Sequence, residues 1–233
     1  HINGSFPDSG HEAFRIQGQN GVEGPTVLAL GVSWGAFPLW GRAAVHGADM
    51  GQVCCPDQQD LFVCGLNDAR QGLAHYCDVF VEENAFSHDE TRQIAACARS
   101  EGLPLKLHVD QLTTSGGAAL AAELEALSAD HLERSAPGEF TRLAARKTIS
   151  TILPGCTFFL GKGPWPDGRA MREAGCEVAI ATDFNPGSSH IADLGLCGML
   201  AATQCGLSLE EALWGITRGG AKALGLKIGR AHV

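Results

Sequence analysis

The sequence lacks any run of positive charge: 17 Lys and Arg stand against 26 Asp and Glu, giving a net charge of −9 over 233 residues. Tracking a phosphate backbone needs clustered cations, so no nucleic-acid partner is expected. Long apolar runs are missing too. Runs such as Val27 to Val32 fall far short of the ~20 residues that span a bilayer. No charged head followed by an apolar stretch opens the chain. These absences lead to the expectation of a cytoplasmic protein that avoids membranes and takes a small-molecule substrate. Nine cysteines include no Cys-x-x-Cys pair, and an odd number argues against a disulfide framework. Cys54, Cys55 and Cys64, with His46 nearby, match no structural zinc spacing and read as free thiols. A full Gly-x-Gly-x-x-Gly fingerprint after a strand is absent, which removes the simplest dinucleotide-binding reading.

What is present divides the chain in two. Residues 1–74 hold 12 of the 30 glycines and no lysine, with no sustained periodicity, and are expected to be irregular. From Cys77 onward, short apolar runs alternate with amphipathic stretches. Cys77–Val81, Leu105–Val109, Ser128–Leu132, Thr148–Leu153 and Glu177–Thr182 read as strands. Between and after them lie helices, two opened by the capping boxes Ser87-His88-Asp89-Glu90 and Ser208-Leu209-Glu210-Glu211. Strict alternation forces parallel strands, so a doubly wound sheet and a (β/α)8 barrel are the main choices. Polar residues favour the barrel. Glu82, His108 with Asp110, His131, and Asp183 with Asn185 all fall at the carboxyl ends of successive runs, where a barrel builds its active face.

Each of these positions also has a plainer reading. His108 could be a hydrogen-bonded core histidine, or it could ligate a metal. His131 could be a satisfied buried histidine or a proton-transferring group. Asp183 could simply open a turn, but the turn Asn185-Pro186-Gly187-Ser188 that follows it has exposed amides suited to an anionic group. Agreement among the strand ends is the stronger signal.

The motifs Asp78-Val79-Phe80-Val81-Glu82, Lys106-Leu107-His108-Val109-Asp110-Gln111, Ser128-Ala129-Asp130-His131-Leu132, Leu153-Pro154-Gly155 and Ala181 to Ser189 together resemble imidazolonepropionase, a metal-dependent amidohydrolase of histidine breakdown. The resemblance runs from about Arg70 to Leu226. It implies a TIM barrel of the amidohydrolase type, here partial: the first barrel strands and the β-sandwich domain are expected to be lacking. It further implies that His108 and Asp183 are ligands of one zinc or iron ion and that His131 and Asp183 are catalytic. Gln111, Asn185, Gly187 and Ser188 would bind substrate, with Glu82 and Asp110 in support. A homodimer is also implied. The implied reaction is hydrolysis of 4-imidazolone-5-propanoate to N-formimidoyl-L-glutamate. Another cyclic amidohydrolase or deaminase of the superfamily, or a non-catalytic barrel remnant, are the alternatives.

Departures from the pattern are equally visible. The family's His-x-His pair, which supplies the other two metal ligands, occurs nowhere in the sequence. Where the family has a substrate-binding histidine near Gly35-Ala36, this chain has Phe37-Pro38. Residues 75–226 are therefore expected to form a partial barrel with little activity by itself. Residues 1–74 are expected to be aberrant. Residues 227–233 are expected to be a non-native tail, since Ile228 to Val233 matches a translated sequencing adapter.

Overall fold

A computed structural model describes residues 27–30, 75–83, 85–161, 163–185 and 187–227. Within them the chain builds a six-stranded parallel sheet in sequence order. The strands are β1 Val27–Leu30, β2 Tyr76–Val81, β3 Leu105–Val109, β4 Ser128–His131, β5 Ile149–Ile152 and β6 Val178–Ile180. Parallel neighbours require crossover connections. The helices that supply them are α1 His88–Ser100, α2 Gly117–Glu123, α3 Pro137–Arg146, α4 Pro154–Leu160 and α5 Gly168–Glu173. After β6 come α6 Leu194–Gln204 and α7 Leu209–Trp214; the latter runs through a π-helical turn, Gly215–Gly219, into α8 Gly220–Ala223. Eight strands close a (β/α)8 barrel; the described residues supply six, a partial barrel.

Local chemistry sets the boundaries. Ser87 and Ser208 both accept from the backbone N–H three residues on, while Glu90 and Glu211 reach back to their cap residues. This satisfies donors that a helix start otherwise leaves open. Two elements were not anticipated from the sequence. β1 lies inside the glycine-rich segment, where the short apolar run Val-Leu-Ala-Leu pairs in parallel with β2, Leu28 opposite Cys77. α4 begins at Pro154-Gly155, a pair that reads as a breaker; a proline in the first helical turn has no N–H to waste. The candidates Cys54, Cys55, Cys64 and His46 and the tail 228–233 lie outside the described residues.

Both faces of the sheet are buried, but differently. On β2 and β3, Cys77, Val79, Val81, Leu105, Leu107 and Val109 belong to the apolar core shared with the helices. The alternate positions Asp78, Lys106, Ser128, Asp130 and Thr151 are buried as well. Because successive side chains point to opposite faces, the register of Asp78 with Lys106, Lys106 with Ser128 and Asp130 with Thr151 stacks these polar groups on the inner face. At the starts of the strands α8 covers this interior. Ala223 packs on Ile149 and Ala179, and its carbonyl accepts from Lys106 Nζ. Tyr76 Oη donates to the Leu224 carbonyl. The opposite ends of the strands are left for loops.

Candidate active site

The loops at the carboxyl ends of β3, β4 and β6 leave their strands through left-handed backbone. Asp110 has φ 53°, His131 φ 83°, Leu132 φ 67° and Asp183 φ 50°. Side chains other than glycine rarely adopt this region, and such strain concentrates where a site demands a particular geometry. Here it turns His131 and Asp183 toward His108: one ligand atom from each of the three lies within 4.8 Å of the others. The two imidazole centroids are 5.3 Å apart. Two nitrogen donors and a carboxylate at that separation fit zinc or iron.

A carboxylate holds each histidine, Asp78 from the neighbouring strand and Glu133 from the loop after β4. His108 Nδ1 lies 2.9 Å from Asp78 Oδ1, and His131 Nδ1 lies 3.4 Å from Glu133 Oε1. Burial alone would pull His108 down in pKa. The Asp78 charge and hydrogen bond, with Asp130 and Asp183 behind them, push it up to about 9. Burial pulls His131 down in the same way, and the Glu133 charge and hydrogen bond outweigh it, so its pKa is raised. Deeper in the interior, burial works against the Asp130 carboxylate. Lys106, whose Nζ is 3.9 Å away, and His108 overcome that and keep it below the usual range.

The remaining expected residues fall into three places. Gln111 lines a cleft of about 200 Å³ beside Glu133, Arg134, Cys156, Thr157 and Leu160. Its Nε2 is 3.5 Å from Cys156 Sγ. Burial pushes the Cys156 thiol far up, with Asp183 and Glu133 adding to the shift, so this sulfur is an inert wall and not a nucleophile. Glu82 accepts from the Leu112 and Thr113 backbones at 2.7 and 3.3 Å and from Thr113 Oγ1 at 2.6 Å, fixing the loop that carries Gln111. Asp110 faces away from the histidines; it accepts from the N–H groups of Gly117 and Ala118 at the start of α2.

Asn185, Gly187 and Ser188 form a closed turn. Asn185 Oδ1 accepts from Gly187 N at 2.8 Å and Ser188 N at 2.7 Å. Its Nδ2 donates to the Asp183 carbonyl and to Ser188 Oγ, and Ser188 Oγ lies 3.4 Å from Asp183 Oδ2. In this arrangement the polar atoms of Asn185 brace the Asp183 loop. Four buried groups escaped the sequence reading: Asp78, Lys106, Asp130 and Glu133. The signal for the first three was a polar residue at alternate positions of three successive strands, which on parallel strands buried on both faces marks a barrel interior. Glu133 follows His131 in a loop and carries no such mark.

No protein-family model matches the chain. It is 42% identical over 219 residues to the imidazolonepropionase of Acidiphilium cryptum, covering 91% of this chain and 55% of that protein. With the imidazolonepropionase of Deinococcus radiodurans it shares 49% over 158 residues, 68% of this chain and 39% of that one. The chain thus spans about half or less of these relatives' length. Among solved structures, an adenosine deaminase from Xanthomonas campestris with bound zinc superimposes with a TM-score of 0.64 at 16% identity, over 86% of this chain and 47% of that one. N-isopropylammelide isopropylaminohydrolase from Burkholderia multivorans gives 0.56 at 20% identity, over 79% and 52%. Likeness at these identities shows the amidohydrolase fold. Among the described residues no helix is long and apolar enough to cross a membrane.

Proposed function

We infer that the chain belongs to the imidazolonepropionases and carries a large part of their catalytic barrel, the part that supplies His108, His131 and Asp183. The observation that carries this reading is the convergence of those three side chains from three strand ends. The substrate class is a small cyclic amide, 4-imidazolone-5-propanoate, opened by water to N-formimidoyl-L-glutamate. His108 and Asp183 would hold one zinc or iron ion. Bound there, the metal supplies Lewis acidity, which acidifies water and polarises a carbonyl.

The chain's own groups do the rest. Asp183 accepts the proton released as water adds to the ring carbonyl carbon and delivers it to the ring nitrogen as the C–N bond breaks. His131, anchored through Nδ1 by Glu133, turns its other ring nitrogen to the carbonyl oxygen as the polarising or proton-transferring group while negative charge builds there. Gln111, on the wall of the cleft, contacts the ring. The turn at Asn185, Gly187 and Ser188 holds Asp183 in place and forms the wall of the site beside the substrate.

The sequence has no His-x-His pair to complete the ligand set, and metal affinity falls steeply as ligands are lost. The purified chain is therefore expected to hold well under one metal ion per molecule and to hydrolyse no imidazolonepropionate. Elemental analysis and a hydrolysis assay on one sample test this, with the Acidiphilium cryptum relative assayed alongside as the positive control. One zinc or iron per chain with turnover would mean that residues 1–74 supply the missing ligands. Turnover of a pyrimidine or purine in place of imidazolonepropionate would move the assignment to another cyclic amidohydrolase or deaminase.

A further inference from the structure

Each histidine of the cluster has a buried carboxylate behind the same ring nitrogen. Asp78 comes from β2, one strand over from His108; Glu133 comes from the loop just after β4. The side chains of Asp78 and Glu133 are 8% and 5% exposed, and that of His131 only 2%. Among the described residues, apart from His131, only Thr157 Oγ1, at 3.1 Å, donates to Glu133. Glu133 Oε2 is buried without any partner among the described residues. Leaving a buried carboxylate oxygen unsatisfied is costly. A neutral glutamine could accept from Thr157 just as well. The negative charge is explained by what it does to His131.

We propose that Asp78 and Glu133 are positioning residues that hold His108 and His131 as their Nδ1–H tautomers, so that both rings present a bare Nε2 to the site. A carboxylate can only accept, so each facing ring nitrogen must donate. A neutral imidazole has one proton to give, and once it sits on Nδ1 the lone pair is left on Nε2. Free histidine favours the opposite tautomer, so the two carboxylates reverse a default twice, at adjacent strand ends. For His108 the consequence is a preset metal-ligand nitrogen, the arrangement in which an outer carboxylate orients a ligating imidazole and raises its basicity. For His131 it is a ring whose outer nitrogen exchanges protons with the substrate while the inner one stays anchored. The low dielectric around these side chains strengthens even the longer of the two contacts.

This assignment rests on the proposed function for its purpose, but its test needs neither metal nor turnover. The full chain, 15N-labelled at histidine and recorded by NMR in alkaline buffer where both rings are neutral, reports which nitrogen keeps the proton. His108→Gln and His131→Gln assign the signals. The expected result is a protected Nδ1–H signal for each ring. Asp78→Ala removes that of His108 alone and Glu133→Ala that of His131 alone, while Asp78→Asn and Glu133→Gln, which still accept, retain them. Thr157→Val leaves both unchanged. A protected Nε2–H in the unmodified chain overturns the proposal even if an alanine variant fails to fold, as does an Nδ1–H signal that survives loss of its carboxylate. Turnover of a pyrimidine or purine in the hydrolysis assay would count against the function and leave this result untouched.

Discussion

Asp110 carries more of the site's architecture than either histidine. It is fully buried, and its two oxygens accept from Ser115 N and Oγ, Gly117 N, Ala118 N and Ser135 Oγ at 2.6–3.0 Å. One carboxylate thereby ties the end of β3, the start of α2 and the loop beyond His131 together. Spacing alone puts Asp110 on the same face as His108; the left-handed turn at Asp110 reverses that, and the donors it meets are brought there by tertiary folding. Asp110→Ala leaves several buried donors unpaired and is expected to destabilise the chain by about 2–4 kcal/mol. Asp110→Asn tolerates positive φ, keeps one acceptor and should lose less. Urea unfolding followed by circular dichroism measures both, and equal midpoints for the alanine variant and the unmodified chain would refute the role.

At the scale of elements, the strands and long helices were legible because their signals are local. Leu105–Val109 matches its expected limits, and both capping boxes form where Ser-x-x-Glu stands. The π-helical turn was not legible, because its cause is a contact with another element. A Cβ added to Gly219 would sit 2.3 Å from the Val178 carbonyl oxygen, and one added to Gly215 would sit 2.8 Å from Ile180 Cδ1. The wider turn lies on β6 at those two positions, seating Gly219 against its main chain and Gly215 against the Ile180 side chain. The obstacle at Gly219 is main chain, so it cannot rotate aside. Gly219→Ala should therefore cost at least 1–3 kcal/mol, as overpacking does, despite alanine's better helix propensity. Gly220→Ala, whose nearest atom would be 3.7 Å away, serves as the control; thermal unfolding of the pair decides it. A gain in stability at Gly219 would mean that the π-helical turn does not press on β6.

Across the molecule, the sheet separates an apolar shell from a charged interior, and that interior makes folding depend on pH. The apolar shell was readable as runs of Val, Leu and Ile. The polar interior was harder, since alternating polar residues also describe a strand that faces water, and only the register of Asp78, Lys106, His108 and Asp130 shows them stacked and buried. In the folded chain His108 titrates at about 9, against ~6.5 when unfolded. A raised histidine binds its proton more tightly when folded, so its contribution is fully present below about pH 6.5 and is lost as pH rises through about 9. The size is at most about 3 kcal/mol. His131 is raised as well and adds in the same direction. At still higher pH the buried Cys77 and Cys205 thiols, pushed up to about 12, extend the loss, because unfolding releases their protons. The urea midpoint of the chain, measured in chelator so that no metal competes for His108, should thus be lower at pH 9 than at pH 6. Asp78→Asn removes the charge that lifts His108 and should flatten the profile while lowering it at pH 6. A profile equally steep in the variant would mean that Asp78 does not set the charge of His108, and the pH dependence would rest on the other carboxylates around the two histidines and on the buried thiols.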